Sequence, residues 1–301
     1  MNAPISTTLD VKTTMPRVGR RPTALGQAAR VFLRDRQAVL GLLIIAITGG
    51  AALAAPLISP YDPLTSEGTE RLAPIGAPGH VLGTDEQGRD ILSRLIWGGR
   101  ASLLVGILPT VAAGVVALGL GLLAGYVGGA VDHTIMRALD VFFAFPLVLL
   151  AIAIVGVIGP GMSNQMFALA VVLVPYSTRV VRTATLSVKP LEFVEAARAL
   201  GAGDRRLLAR HLLPNVLPPL LVYTSTLVGM MIVASAGLSF LGLGVQPPTP
   251  DWGVMVGNGR LVLYRAAHVA TIPGIVIVVA ALAFNFVGDG LREALDPRAR
   301  R

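Results

Sequence analysis

The sequence predicts an all-α protein that crosses a membrane six times. Only 14% of its 301 residues are charged and 53% are apolar, whereas soluble domains carry about 25% charged residues. Several stretches contain no charge and reach the roughly 20 residues that a helix needs to cross the hydrocarbon layer. The basic residues fall between these stretches, as is typical of a multi-pass membrane protein.

The net charge of +8 does not indicate nucleic-acid binding, because the basic residues do not gather on one face. We therefore expect a lipid bilayer, and no nucleic acid, among the partners of the chain. The absence of cysteine excludes disulfides and thiolate metal sites. The four histidines have no metal-ligand spacing, so we predict no metal site.

The amino-terminal part of the chain contains one predicted span. Residues 1–36 are polar and basic, and we expect a cytoplasmic segment that is partly disordered. Residues 37–58 form the first span, which Pro56 and Pro60 bring to an end. Residues 59–100 are polar and predict an extracytoplasmic loop.

This loop contains a sequence typical of a helix start. The run Thr84-Asp85-Glu86-Gln87 fits a capping box, in which a threonine and a glutamate or glutamine three residues later bond to the first turn. The following residues up to Trp97 alternate in polarity with a helical period. We therefore expect a short amphipathic helix in the membrane interface before the second span.

The second span is predicted at residues 103–127. Gly121, Gly125 and Gly129 recur every four residues, a small-residue pattern that lets membrane helices approach closely. No strand precedes them, so helix packing is favoured over a phosphate-binding loop. The uncharged run 141–178 is too long for one span, and a Gly-Pro-Gly break after residue 158 divides it into spans three and four.

Spans five and six are predicted at residues 217–241 and 269–288. Polar residues within the spans favour hydrogen bonds between helices over a polar pathway; these are Thr224, Thr226, Ser235, Ser239 and Asn285. No acidic or basic residue lies inside a span, which disfavours an ion-coupled secondary transporter or channel. A membrane scaffold without transport activity stays open as a third class.

The distribution of lysine and arginine predicts that both termini are cytoplasmic. With this orientation only six of the 25 basic residues lie outside: Arg71, Arg89, Arg94, Arg100, Arg260 and Arg265. The predicted organisation begins with an amino-terminal segment (1–36), a first span (37–58) and an outer loop (59–100). A core (101–290) follows, which contains the cytoplasmic hairpin (184–213), and a cytoplasmic tail (291–301) ends the chain.

The hairpin is a charged island between uncharged spans. Pro190 is predicted to open a first helix whose early glutamates favour the positive end of the helix dipole. Gly201 provides a left-handed end, and Asp204 is predicted to cap a second short helix that Pro214 closes. The apolar face of the first helix consists of Phe193, Ala196, Ala197 and Leu200. These features leave open whether the hairpin docks on a soluble partner or only links two spans.

The hairpin also resembles a known motif. Glu195-Ala196-Ala197, Gly201 and Leu213-Pro214 resemble the EAA motif of the membrane subunits of bacterial ATP-binding-cassette importers. Over residues 27–298 the chain is similar to the dipeptide, oligopeptide and nickel permeases of the second-permease type. Further segments that carry this resemblance are Gly83-Thr84-Asp85, Gly88-Arg89-Asp90, Ser93-Arg94, Phe240-Leu241-Gly242-Leu243-Gly244, Pro247-Pro248, Asp251-Trp252-Gly253, Asn285 and Leu295-Asp296-Pro297.

The resemblance implies a type I importer permease of the bacterial inner membrane, which forms half of a pathway for peptides or a related small solute. The implied partners are a homologous second permease, two ATPase subunits or one fused ATPase, and an extracytoplasmic substrate-binding protein. ATP and Mg²⁺ would bind the ATPase, and no cofactor would bind this chain. The residues implied to contact the ATPase are Phe193, Glu195, Ala196, Ala197, Leu200, Gly201 and Asp204. The cargo stays open among dipeptides, oligopeptides, nickel, haem and glutathione.

The sequence contains no catalytic motif of its own. A Walker A loop needs a Gly-Lys pair, and valine precedes both Lys12 and Lys189. No Gly-x-Ser-x-Gly nucleophile elbow is present either. We therefore predict a non-catalytic subunit whose ATP hydrolysis takes place on a partner.

Overall fold

The computed structural model describes residues 24–66 and 70–295, and this part of the chain is helical without a β-strand. The predicted all-α fold is confirmed. The predicted disorder near the amino terminus (residues 1–23), Asp296-Pro297 and the end of the tail lie outside the described residues. The helices are α1 (Ala24–Arg34), α2 (Arg36–Leu53), α3 (Ala55–Ile58), α4 (Ile91–Val127), α5 (Gly129–Phe143), α6 (Leu147–Ile158), α7 (Met162–Val188), α8 (Glu192–Ala199), α9 (Asp204–Arg206), α10 (Leu213–Phe240), α11 (Trp252–Gly259) and α12 (His268–Leu295).

Within residues 24–66 and 70–295, five helical segments are long and apolar enough to cross a membrane, and the count is six if the bent pair α5 and α6 forms one span. The five contain α2, α4, α7, α10 and α12. The third predicted span, a single helix over residues 141–158, is wrong, because α5 and α6 meet there at 86°. Pro146 precedes α6, and a proline disfavours helical geometry in the residue before it. The 12 residues of α6 would reach only about 18 Å, which is too short to cross the hydrocarbon layer without α5.

The helix that carries the second span begins at Ile91, not at the predicted capping box. Asp90 is the N-cap and accepts a hydrogen bond from the Ser93 amide. Thr84 instead binds the amide of Ala73 across the loop. The predicted break between an interfacial helix and the second span is also wrong, because α4 runs through both regions as one helix of 37 residues.

The polar face predicted for the membrane interface is buried inside the protein. Arg94 is only 2% exposed and donates to the carbonyl oxygen of Pro63 at 2.8 Å. Asp90 accepts from Ser93 and lies 2.9 Å from a ring nitrogen of His80. The capping-box pattern failed because Thr84 bonds within the loop before α4, at Ala73 and Glu70, while Asp90 caps the helix.

A second buried contact holds α11 against the start of α4. The indole nitrogen of Trp252 donates to the carbonyl of Leu95 at 2.9 Å. Asp251 caps α11 at Val254 and accepts a hydrogen bond from the Ser102 hydroxyl. Burial raises the pKa of Asp251 above its usual value. Together these bonds join the start of α11 to the amino-terminal part of α4.

Two of the three repeating glycines lie in the contact between α4 and α7. A Cβ atom on Gly121 would lie 2.5 Å from the Cβ of Val181, and one on Gly125 would lie 2.7 Å from the Cβ of Thr185. Gly129 instead begins α5 with φ +54° and would meet no atom within 4 Å. The close-packing prediction is therefore confirmed for Gly121 and Gly125 and wrong for Gly129.

Of the five polar residues in the spans, Ser239 forms a side-chain hydrogen bond outside its own helix, with Asp251 at the start of α11, whereas Thr224, Thr226 and Ser235 do not form the bonds between helices that we expected. The hydroxyls of Thr224, Thr226 and Ser235 each donate to a carbonyl of their own helix α10. A threonine or serine hydroxyl in a helix readily reaches the preceding turn, which satisfies the donor without a neighbouring helix. The interface between α10 and α12 depends instead on small residues such as Gly229, whose Cβ would lie 2.5 Å from the carbonyl oxygen of Ala281.

Candidate functional site: the hairpin between α7 and α10

The hairpin connects the end of α7 to the start of α10. It contains α8, a turn at Leu200–Gly203, the short helix α9 and a π-helical segment, Leu207–Leu212. As predicted, Glu192 and Glu195 lie in the first turn of α8. Pro190 lies before the N-cap Leu191 rather than at the first helical position, so the predicted helix start is two residues early.

The turn after α8 is a Schellman motif, which ends a helix by bonding its last free carbonyls. The amide of Ala202 donates to the carbonyl of Ala197, and the amide of Gly201 donates to that of Arg198. Gly201 has φ +83°, a conformation that a side chain disfavours. The predicted left-handed helix end at Gly201 is confirmed.

The second helix of the hairpin differs from the prediction at both ends. Its N-cap is Gly203, and the Asp204 side chain does not cap it. Pro214 does not close it, because the π-helical segment leads directly into α10. A proline is tolerated in the first turn of a helix, and Pro214 is the second residue of α10. The second half of the hairpin is therefore continuous with a membrane span.

A small apolar core attaches the hairpin to α4. Val194, Leu207 and Leu212 are fully buried, and they pack with Leu122 and Tyr126 of α4. Ala197, predicted to share an apolar face with Phe193 and Leu200, also packs against this core and lies on the inner side of the hairpin. The burial of Val194 was not predicted from the sequence. The available signal was its position between Phe193 and Glu195 on a short amphipathic helix.

Polar contacts reinforce this attachment. The Tyr126 hydroxyl donates to a carboxylate oxygen of Asp204. The Lys189 ammonium donates to the carbonyl oxygen of Tyr126 at 2.7 Å. Arg182 of α7 forms a bidentate ion pair with Asp132 of α5, in which two guanidinium nitrogens donate to the two carboxylate oxygens. Asp204, predicted as a contact residue, thus also positions the turn against α4.

The opposite side of the hairpin is exposed and carries most of the predicted residues. Leu200 is 88% exposed and Phe193 is 43% exposed. Glu195, Ala196 and Gly201 are exposed as well. We call this surface, formed by Phe193, Glu195, Ala196, Leu200 and Gly201, the hairpin face. A contiguous exposed apolar patch with a polar rim is one mark of a surface that another protein covers.

Two family models match the sequence. Residues 117–301 match the model described as "Binding-protein-dependent transport system inner membrane component". Residues 23–74 match the "N-terminal TM domain of oligopeptide transport permease C". The first match contains the hairpin, and the second contains α1 and α2.

Among curated proteins, the chain is 44% identical to the glutathione transport system permease protein GsiD of Pectobacterium atrosepticum, with 90% of each chain covered. It is 41% identical to the di/tripeptide transport system permease protein DppC of Pseudomonas aeruginosa, with 93% of this chain and 94% of that protein covered. Among solved structures, the inward-facing MetNI methionine ABC transporter matches with a TM-score of 0.56 and 21% identity, covering 67% of this chain and 97% of that one. The last likeness supports the fold alone.

Proposed function

The chain belongs to the family of binding-protein-dependent transport system inner membrane components, and from this premise we propose that its hairpin face docks on a separate ATPase subunit. Members of this family are multi-pass permease subunits of ATP-driven importers in the bacterial inner membrane, and they are not enzymes. Coupling to an ATPase is their general role. The proposal therefore concerns which residues make the contact, with which partners, and for which cargo.

The observation that supports the proposal is that one side of the hairpin is buried against α4 while the other side is exposed. Its inner side is attached to α4 through Val194, Leu207 and Tyr126, whereas its outer face exposes Leu200 and Phe193. Its two ends are joined directly to α7 and α10. A partner that binds the hairpin face and displaces it would therefore move α7 and α10 as well.

The proposed mechanism uses this connection. Closure of the ATPase subunits on each other would displace the hairpin as a unit, because its buried core resists internal rearrangement. The displacement would reach α7 and α10 and change the side of the membrane to which the pathway opens. In this proposal ATP and Mg²⁺ bind the ATPase partner, and this chain contributes no group to hydrolysis.

We further propose that the cargo is a small peptide. The two relatives described above are named for glutathione and for di- and tripeptides, and glutathione is itself a modified tripeptide. The shared chemistry is a short zwitterionic chain of a few residues.

Co-purification tests the proposed assembly. A tagged chain extracted in mild detergent is expected to bring down an ATPase and a homologous second permease, as two ATPase subunits or one fused ATPase. Addition of the substrate-binding protein with a peptide is expected to stimulate ATP hydrolysis. A chain that purifies alone and transports in response to an ion gradient would contradict the proposal.

The proposed orientation places both termini and the hairpin in the cytoplasm. Because the natural chain has no cysteine, a single introduced cysteine reports on one position. Arg206 in the hairpin and Tyr264 before α12 are both exposed. In cells with a permeable outer membrane, Tyr264→Cys is expected to react with a membrane-impermeant maleimide, and Arg206→Cys only after lysis in denaturant. Labelling of Arg206→Cys in intact cells would make docking on a cytoplasmic ATPase impossible.

A further inference from the structure

A cleft lies between α7, α10 and α12, away from the hairpin face. Its volume is about 580 Å³, which is within the range of small-molecule sites. Its lining is mostly apolar with a few polar groups; the residues include Val180, Pro219, Tyr223, Thr226, Asp289 and Arg292. This mixture is typical of a site that binds a small solute and fixes its orientation.

The cleft contains one acidic and one basic side chain on the same helix. Asp289 and Arg292 are three residues apart on α12, which places their Cβ atoms about 5–6 Å apart. Both side chains are exposed, and within the described part of the chain neither forms a hydrogen bond or an ion pair. Each charge is therefore available to a ligand.

The helix dipole accounts for only one member of the pair. Arg292 lies in the last turn of α12, where the dipole favours cations. Asp289 lies before the last turn, so the dipole gives no reason for a carboxylate at this position.

The opposite wall of the cleft carries two hydroxyl groups, those of Tyr223 and Thr226 on α10. The Thr226 hydroxyl donates to the carbonyl of Val222, which leaves its oxygen lone pairs able to accept another hydrogen bond. Gly288 lets the two walls approach, because a Cβ there would lie 2.5 Å from the hydroxyl of Thr226. An ammonium group near Asp289 would thus have a hydroxyl oxygen as a further acceptor.

We propose that this cleft binds a small zwitterionic solute on its way through the transporter, with Asp289 binding the ammonium group and Arg292 the carboxylate. An unmodified dipeptide is the simplest ligand of this kind. The inference rests on the proposed function, because it assumes that the chain forms part of a pathway for short peptides. Under the proposed orientation the cleft lies at the cytoplasmic end of the helices, where cargo leaves.

Direct binding to the assembled transporter, without the substrate-binding protein, tests the proposal. The probes are radiolabelled Ala-Ala, its N-acetyl form and its carboxyl-terminal amide, measured by equilibrium dialysis against the complex in nanodiscs. Because a charge-assisted hydrogen bond contributes a factor of about 10 or more, blocking either end is expected to weaken binding about tenfold. Asp289→Asn is expected to weaken Ala-Ala binding about tenfold and to abolish discrimination against the N-acetyl form. Arg292→Gln is expected to weaken Ala-Ala binding about tenfold as well, and to abolish discrimination against the carboxyl-terminal amide.

Two matched variants control for loss of charge. Glu293→Gln removes an exposed acid on the same helix outside the cleft, and Arg137→Gln removes an exposed arginine of α5. Both are expected to bind Ala-Ala like the wild type. Equal binding by Asp289→Asn and the wild type, or no preference of the wild type for the free dipeptide, would overturn the proposal. A variant that no longer assembles with the second permease would overturn it too, because the pair would then be a subunit contact.

These outcomes are distinct from failure of the proposed function. If the wild-type chain fails to assemble with an ATPase, the proposed function is wrong. If the complex assembles, hydrolyses ATP and transports peptide while Asp289→Asn changes neither affinity nor selectivity, only the cleft proposal is wrong.

Discussion

The substitution Gly201→Val is expected to lower peptide uptake by the assembled transporter about tenfold while leaving membrane insertion and basal ATP hydrolysis intact. Gly201 has φ +83° at the end of α8. A branched side chain in this region of backbone space costs about 1–2 kcal/mol, which reduces the population of the observed turn by a factor of about 5–30. The hairpin face would then lose the turn geometry that sets the position of Leu200 at the end of α8.

The effect is expected to come from backbone conformation and not from crowding. A Cβ on Gly201 would meet no atom within 4 Å. Gly201→Asn, which tolerates the left-handed region, is therefore expected to retain most of the uptake. Gly203 is the matched control, because it is equally open but has φ −69°. Gly203→Val is expected to transport normally.

The measurement is the number of peptides transported per ATP hydrolysed in proteoliposomes containing the complete transporter. A normal ratio for Gly201→Val would mean that the turn does not have to hold its geometry for coupling. Equal losses for Gly201→Val and Gly203→Val would show that any bulk at the tip is harmful, and the conformational explanation would be wrong.

The substitution Gly121→Ala is expected to destabilise the protein by about 1–3 kcal/mol, the usual effect of overpacking. The added Cβ would lie 2.5 Å from the Cβ of Val181 and 2.9 Å from the backbone nitrogen of Arg182. The second atom belongs to the main chain of α7 and cannot rotate away. The two helices would have to separate, and α7 leads directly into the hairpin.

Gly119→Ala is the matched control two residues away on the same helix. A Cβ at Gly119 would meet nothing within 4 Å. Alanine is the better helix former by up to about 1 kcal/mol, so this variant is expected to be as stable as the wild type or slightly more stable. The measurement is the midpoint of heat-induced loss of the monodisperse peak in detergent. If both variants shift the midpoint in the same direction, the α4–α7 contact is looser than the structure indicates.

The contrast between these two glycines shows the limit of the sequence pattern. Spacing of four residues identified Gly121, Gly125 and Gly129 equally, but only the first two face α7. The repeat continues past the end of α4 at Val127, so Gly129 belongs to a new helix. A residue repeat predicts which side chains share a helix face only for residues that belong to the same helix.

Only the local features of the hairpin could be predicted from the sequence. Its first helix, the early glutamates and the left-handed Gly201 follow from local propensities and capping rules, which depend on neighbouring residues. The role of Val194 depends on Leu207 and on Tyr126 of α4, which are distant in sequence. The continuity of the hairpin with α10 also escaped prediction, because a proline in a first helical turn looks the same in sequence as a proline after a helix end.

The sequence by itself determined the all-helical class, the approximate positions of most spans and the charged island between them. These properties depend on hydrophobicity and charge along the chain, which set what can lie in lipid. Only the tertiary structure decided that Arg94 and Asp90 are buried, that α5 and α6 meet at 86°, and that Asp289 and Arg292 share a cleft. A buried charge and a charge in a cleft look identical in sequence, because their difference lies in the helices that pack around them.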